Sequence, residues 1–159
     1  MKILLIIIIC IFLTGCNKDI ESKEKQVYNS YIEKLSSDIK NNDNLPFDIE
    51  VYIDRITDYE VMYRIIIDNP KEELNDIETL VIHNKDTDDV FPSSGIFDTK
   101  YSLIPNIVNK DKKYAEGIIL IGYIKYDNDI NDLNIEFKLL FKYKNKDNEE
   151  KIITYSTKR

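Results

Sequence analysis

Two neighbouring segments decide the fold: PFDIEVYID at residues 46–54 and YEVMYRIIID at residues 59–68. In both, apolar side chains occupy every second position, beginning with Phe47 in the first. Successive side chains of a β-strand point to opposite faces of a sheet, so this alternation predicts two half-buried strands. The second strand ends before Pro70, because proline has no N–H to donate to a strand ladder.

Further stretches along the chain also show strand patterns. They are Ile77–His83, a weaker pair at Val90–Phe91 and Ile96–Leu103, and the runs Tyr114–Tyr126, Leu133–Tyr143 and Ile152–Thr157. The last two are joined by the turn Asn145–Asn148, which is typical of a hairpin. About seven short strands without a helical run between them predict a mainly β protein, an antiparallel β-sandwich over residues 47–159. A doubly wound α/β fold is excluded for the same reason.

The segment ahead of Pro46 has a different period. Its apolar residues recur at steps of three and four, which is the spacing of one face of an α-helix. They are Ile20, Val27, Tyr28, Tyr31, Ile32, Leu35 and Ile39. We expect an amphipathic helix over about residues 20–40, ended by the polar run 41–44 and by Pro46. This helix is either a spacer that lifts the sandwich off a membrane, or an element that docks on the sandwich or self-associates.

The composition excludes some classes of function. The chain of 159 residues carries 22 Lys and Arg against 29 Asp and Glu, for a net charge of −7. A nucleic-acid binder needs a basic face to neutralise phosphates, so nucleic acid is not an expected partner. Hydrophobic residues make up 43% of the chain, which is enough to build a core and excludes a disordered protein.

The N-terminus has the pattern of an export signal. Lys2 precedes the apolar run Ile3–Leu13, which is too short to span a bilayer core and has the length of a secretory h-region. The run ends in Leu13-Thr14-Gly15-Cys16, which resembles the lipobox of bacterial lipoproteins. That resemblance implies that Cys16 receives a diacylglyceryl group, with acyl chains such as palmitate, before a signal peptidase cleaves ahead of it. The alternative is an uncleaved anchor with an incidental cysteine.

Lipidation at Cys16 would fix both the location and the domain organisation. Two acyl chains, at about 0.8 kcal/mol per buried CH₂, hold a protein lastingly on a membrane. We therefore expect the protein on the extracytoplasmic face of the cell membrane, with a signal peptide at 1–15, a lipidated tether and helix at 16–46, and the sandwich at 47–159. Cys10 leaves with the signal peptide, so the exported domain is built without a disulfide.

The sandwich segment resembles the Ig-like domain of small Gram-positive lipoproteins. The residues that carry the likeness are the end of the second strand, Asp68–Glu73, and the stretch Glu116–Asp127, which runs through an acidic turn into Leu133–Phe137. The resemblance covers about residues 47–157 and implies an Ig-like architecture. The sequence departs from antibody-type domains by lacking their Cys, Trp and Cys hallmark. The family implies no catalytic residues.

Few residues suit catalysis. His83 is the one histidine, and the mature domain would have no free thiol, so no zinc or copper site and no cofactor is expected. A Ser-His-Asp triad with Ser93, Ser94 or Ser102 is left open, although no G-x-S-x-G elbow supports it. Paired carboxylates would suit a cell-wall hydrolase, but 29 acidic residues bring some pair together in almost any fold. We expect a protein that is not an enzyme.

The acidic turn Asp127–Asp132 raises the question of calcium. It offers oxygens at alternate positions, but it lacks the glycine and the bidentate glutamate of an EF-hand loop. A calcium site that combines this turn with Asp86, Asp88 or Asp89 is an alternative, and it would make the protein a calcium-stabilised structural or adhesion module.

Apolar residues also occupy strand positions that the alternation assigns to solvent. Met62 and Ile66 flank Arg64, Leu140 lies between two lysines, and Tyr52 faces outward on the first strand. A contiguous exposed apolar patch usually marks a contact surface. We predict that Met62, Ile66 and Leu140 lie on strands of one sheet and bind a partner, either an envelope protein or a cell-wall component. The alternative is that the helix of residues 20–40 covers them.

Overall fold

The computed structural model describes residues 16–37, 39, 41, 44–85, 93–106 and 116–159. Some predictions fall wholly or partly outside these residues. They are the signal peptide at 1–15, the end of the predicted helix with the polar run 41–44, the carboxylates at 86–89 of the calcium alternative, the weak strand at Val90–Phe91 and the first residues of the run that begins at Tyr114.

One helix and seven strands make up the described chain. They are α1 at Cys16–Ser36, β1 at Asp48–Thr57, β2 at Glu60–Asp68, β3 at Leu74–His83, β4 at Ser93–Leu103, β5 at Gly117–Lys125, β6 at Glu136–Lys144 and β7 at Glu150–Lys158. A 3-10 turn at Ile130–Asp132 precedes β6, so that strand begins later than the predicted Leu133. The mainly β class and the change from helix to strand around Pro46 are confirmed.

The strands form two antiparallel sheets packed as a sandwich. Sheet I has the order β1-β2-β5, and sheet II has the order β4-β3-β6-β7. If β1 to β7 are lettered A to G, sheet I contains A, B and E. Sheet II contains C, F and G, with D (β4) beside C. A constant-type Ig sandwich divides its A, B, E and C, F, G strands in the same way but places the fourth strand beside E, whereas here it lies beside C. The β-sandwich predicted from the sequence is therefore confirmed.

The core lies between the inner faces of the two sheets. Its buried side chains on β2 and β6 are Val61, Tyr63, Ile65, Ile67, Phe137, Leu139, Phe141 and Tyr143. The rings of Tyr63 and Phe137 meet across the sandwich with centroids 4.9 Å apart. Gly122 lies opposite Tyr63 in the β2–β5 register, and a Cβ at this glycine would lie 2.2 Å from the tyrosine hydroxyl oxygen. The large ring thus occupies space that only glycine leaves open.

α1 covers the centre of the outer face of sheet II, on β3 and β6. Tyr31 and Leu35 of the helix pack on Leu80 and Leu140, and all four side chains are buried. The Tyr31 hydroxyl donates a hydrogen bond to Glu78. Burial, reinforced by this bond, raises the pKa of Tyr31. Of the two roles open for the helix, docking on the sandwich is the one observed.

The residues after α1 protect an edge of sheet II. The side-chain amide of Asn41 donates to the carbonyl of Ser156 and accepts from its N–H, both at 2.7 Å. Because β7 is the last strand of its sheet, its outward backbone groups would otherwise offer a template for another chain. The asparagine amide takes the place of a neighbouring strand at this point.

Candidate functional site

The structure separates the three residues that were predicted to form one patch. Met62 and Ile66 lie half-buried on the outer side of β2, in sheet I. Leu140 lies on β6, in sheet II, and is 0% exposed because α1 covers it. The prediction of a shared sheet is therefore wrong, since the alternation within a strand does not say which sheet the strand joins. Leu140 belongs to the contact between helix and sheet.

Met62 and Ile66 belong to an exposed surface that crosses all three strands of sheet I. The register aligns three rows of outward residues: Glu50, Ile66 and Ile119; then Tyr52, Arg64 and Ile121; then Asp54, Met62 and Tyr123. We refer to these nine residues as the sheet I face. Its most exposed apolar side chains are Ile119 at 57%, Ile121 at 47%, Tyr52 at 45% and Tyr123 at 41%. Contiguous apolar exposure of this kind marks interaction surfaces.

The sequence-based prediction of a contact patch did not include the apolar residues of the sheet I face on β5. Ile119, Ile121 and Tyr123 fall within the run 118–124, in which both sides of the strand are apolar. An antiparallel strand with one side toward solvent normally alternates apolar with polar residues. The absence of that alternation is the signal that would have identified them.

Arg64 occupies the middle row on the central strand. Its Nη2 lies 2.6 Å from Asp54 Oδ2, and its Cζ lies 5.6 Å from the ring centroid of Tyr52. The Tyr52 hydroxyl in turn donates to Glu50, and this bond raises the pKa of Tyr52. Both ion-pair partners are more than a third exposed, so the pair stabilises the fold by about 0–1 kcal/mol. Its structural effect is to hold the arginine in one position beside the tyrosine.

One margin of the sheet I face is acidic. Four carboxylates lie here: Glu50 and Asp54 belong to the face, and Asp48 and Asp68 lie opposite each other in the register just beyond its first row. Two of them have cationic neighbours. Lys71 Nζ lies 3.3 Å from Asp48, and Arg64 pairs with Asp54. The opposite margin, on β5, is apolar. One edge of the face is therefore negatively charged and the other is uncharged and apolar.

The sheet I face is small for a stable interface. Strands lie about 4.8 Å apart and alternate residues along a strand about 6.8 Å apart, so three rows on three strands cover roughly 300 Å². A standard protein interface buries about 800 Å² on each partner. This area fits a transient contact rather than a permanent dimer.

A hollow of about 560 Å³ lies at one end of the sandwich, between the β1–β2 turn and the segment after β5. It is lined by Thr57, Tyr59, Glu60, Lys125, Tyr126 and Asp127. Beside it, the Arg55 guanidinium donates to the carbonyls of Asp58, at 3.0 Å, and Tyr126, at 2.9 Å, and also to that of Asn128. The arginine therefore ties the turn to the chain that follows β5, which is a structural role.

His83 is packed at the end of β3. Its ring centroid lies 5.4 Å from that of Tyr63 and 6.3 Å from that of Phe137. Its Nδ1 accepts a hydrogen bond from the Lys85 N–H at 3.2 Å. These contacts are those of an imidazole that completes the aromatic packing at the end of a strand.

The acidic turn uses one of its carboxylates internally. Asp129 Oδ1 accepts from the backbone N–H of Asn131 at 2.9 Å and from its side-chain amide at 2.8 Å, and this bonding starts the 3-10 turn. Within the part of the chain that the structure describes, no three His, Cys, Asp or Glu side chains are placed to hold a metal ion. Asp86, Asp88 and Asp89, which the calcium alternative requires, lie outside the described residues.

Comparison with known proteins supplies no relative. No family model, no curated protein and no solved structure matches the chain. None of the helices in the described ranges has the length and apolar character needed to cross a membrane. The geometry of the sheet I face is therefore the main ground for a functional proposal.

Proposed function

We propose that this protein is a lipid-anchored, non-enzymatic docking module of the cell envelope. It binds an envelope protein or a wall component through the sheet I face. The observation that carries this proposal is the set of exposed apolar side chains around Arg64, led by Ile119, Ile121 and Tyr52.

The anchor in this proposal is a lipid on Cys16. Its support is the order of features in the sequence: one positive charge, an apolar run of secretory length, small residues and then the cysteine. Cleavage ahead of Cys16 would remove residues 1–15 and leave the chain tethered on the extracytoplasmic side of the membrane.

The docked part of the helix and the proposed docking surface lie on opposite sides of the sandwich. The helix that begins at Cys16 packs on the outer side of sheet II through Tyr31 and Leu35. The sheet I face points the other way, with the whole core between them. A partner can therefore reach the sheet I face without displacing the helix that leads to the membrane.

The energetics suit a reversible contact. Full burial of an isoleucine-sized side chain is worth about 1.5–3 kcal/mol, so covering three that are half exposed gains about 1 kcal/mol each. Arginine and tyrosine, the types found at Arg64 and Tyr52, are enriched among the residues that dominate binding. A few kcal/mol at the centre of a small face is enough to decide between binding and release.

Site-specific crosslinking on intact cells tests the docking proposal. A photoreactive residue replaces Ile119 on the sheet I face, or Ile152 on β7, which is 41% exposed and serves as the matched control. We expect a discrete crosslinked species from position 119 and none from position 152. Equal products from both positions, or none from 119, would overturn the docking proposal.

The anchor is tested separately. Cys16→Ser removes the thiol that receives the lipid, so we expect an uncleaved protein of larger mass that no longer incorporates a labelled fatty acid. A variant with unchanged mass and membrane attachment would contradict the lipid anchor, whatever the crosslinking shows.

A further inference from the structure

The two margins of the sheet I face differ in charge, and this difference describes the partner. On β1 the outward positions from 48 to 54 hold three carboxylates and Tyr52, with no lysine or arginine among them. On β5 the outward residues within the face are Ile119, Ile121 and Tyr123, and Lys125 lies beyond the last row, opposite Glu60. A complementary surface must therefore be apolar on one side and cationic on the other.

Two carboxylates at this margin form no ion pair with the residues that the structure describes. Asp48 has Lys71 and Asp54 has Arg64, but none of the ion pairs formed by the described residues involves Glu50 or Asp68. Glu50 lies directly opposite Ile66 in the register, and Asp68 follows two residues later on β2. Two unpaired negative charges thus border Ile66, beside Arg64 at the centre of the face.

These charges disfavour three possible occupants. An anionic membrane surface attracts Lys and Arg and would repel this margin, and an anionic wall polymer would be repelled in the same way. A second copy of the chain fits no better. Two copies that stack face to face about a two-fold axis, with their strands aligned, can pair in two ways. If β1 lies over β1 of the other copy, carboxylates face carboxylates. If β1 lies over β5, the carboxylates are buried against apolar side chains.

We infer that the partner of the sheet I face is a protein whose surface has an apolar centre and a margin of lysine or arginine that lies over β1. This inference rests on the proposed docking function and adds the chemistry of the partner. Charge pairs at the edge of an interface mainly raise the association rate and are screened by salt. The small area of the face makes this contact transient. Because salt screens the charge pairs at its edge, the affinity depends on ionic strength.

The test begins with the full chain crosslinked in cells from position 119 and the partner peptide identified by mass spectrometry. Binding of that purified partner to the full-length protein is then measured in 50 mM and in 500 mM NaCl. The variant Glu50→Gln/Asp68→Asn removes the two unpaired charges. The matched control Asp127→Asn/Asp132→Asn makes the same change of charge on the acidic turn.

We expect the affinity of the native protein to fall about tenfold or more at the higher salt concentration. The Glu50→Gln/Asp68→Asn variant should bind several-fold more weakly at low salt and lose most of the salt dependence, while the turn variant behaves as the native protein. Salt-independent binding that survives Glu50→Gln/Asp68→Asn would overturn the inference and leave the docking function standing. A crosslink to a second copy of the chain would also overturn it, and an absence of crosslinks from 119 would overturn the docking function itself.

Discussion

The two outer faces of this sandwich both carry apolar residues, but one is covered by the helix and the other is exposed to solvent. On sheet II, Leu80 and Leu140 point outward, and both are buried because Tyr31 and Leu35 of α1 pack on them. On sheet I, Ile119 points outward in the same way and is 57% exposed. The chain thus supplies a cover for one apolar face from its own N-terminal segment and leaves the other accessible.

This comparison shows that outward apolar residues on a strand have two distinct meanings. Beneath α1 they add stability, since each buried leucine contributes about 1.5–3 kcal/mol. On the sheet I face they add less to the stability of the monomer, because about half of the surface of Ile119, Ile121 and Tyr52 still contacts water. Stability measurements on matched variants can therefore tell a structural face from a binding face.

The largest effect is expected from Leu140→Asp. A carboxylate at this fully buried position would lose the packing under α1 and would be desolvated without a partner, so we expect a loss of about 4 kcal/mol or more. Urea denaturation followed by circular dichroism measures the loss. The matched control is Ile119→Asp, which should change the free energy of unfolding by less than about 1 kcal/mol. Similar losses in both variants would mean that the two faces do not differ.

The next largest effect concerns the helix. Leu35→Ala empties a fully buried site between α1 and sheet II, and we expect a cost of about 2–4 kcal/mol. Val27→Ala, at a helix position that is 41% exposed, should cost less than about 0.5 kcal/mol. Hydrogen exchange of the α1 amides gives the direct readout, because undocking exposes them. Slow exchange in α1 of the Leu35→Ala variant would refute a docking role for this leucine.

A smaller effect is expected from Tyr31→Phe. The substitution removes the hydrogen bond to Glu78 but leaves the ring, and Lys142 Nζ, 3.6 Å from Glu78, still compensates the carboxylate. We therefore expect a loss of about 1 kcal/mol in the free energy of unfolding. A loss as large as that of Leu35→Ala would show that the bond, rather than the apolar packing, holds the helix.

The same tyrosine predicts a dependence on alkaline pH. Burial and the bond to Glu78 raise the pKa of Tyr31 above its ordinary value of 10.0, so the folded state holds this proton more tightly than the unfolded state. Its stabilising effect is fully present below pH 10 and is lost progressively as the pH rises above that value. Melting temperatures between pH 9 and 11.5 should fall more steeply for the native protein than for Tyr31→Phe. Parallel curves would contradict this role.

Tyr143 provides an independent check of the alkaline effect. Burial and the hydrogen bond to Glu72, 2.7 Å long, raise its pKa as well, but Tyr143 packs in the core on the inner side of sheet II, whereas α1 lies on the outer side. We expect Tyr143→Phe to reduce the alkaline slope without changing hydrogen exchange in α1. Increased exchange in α1 would show that the two sites are coupled.

The comparison also explains how far the sequence could be interpreted. The alternation in residues 46–54 and 59–68 identified β1 and β2, and it placed Met62 and Ile66 on the outer side of their strand. The sequence could not assign β2 and β6 to sheets, because strand order depends on connections that cross between the layers. For this reason Leu140 was grouped with residues on the opposite side of the molecule.

The sequence pattern also does not show which face of the sandwich the helix will cover. The apolar stripe at Tyr31 and Leu35 predicted a helix, but only the packing shows that this helix lies on sheet II rather than on sheet I. The hydrogen bonds between Asn41 and Ser156 join residues 115 positions apart, so no local sequence pattern predicts them. Tertiary contacts of this kind decided which apolar face stayed exposed.

The most direct test of the central claim compares two lysine substitutions on edge strands. Ile119→Lys changes the sheet I face, and Ile152→Lys changes an isoleucine of similar exposure on β7 of sheet II. The two variants are measured side by side for urea stability and for affinity toward the partner crosslinked from position 119. We predict unfolding free energies within about 0.5 kcal/mol of the native protein for both, with at least a tenfold loss of affinity for Ile119→Lys alone. Unchanged affinity in a folded Ile119→Lys protein would contradict the claim that the sheet I face is the docking surface.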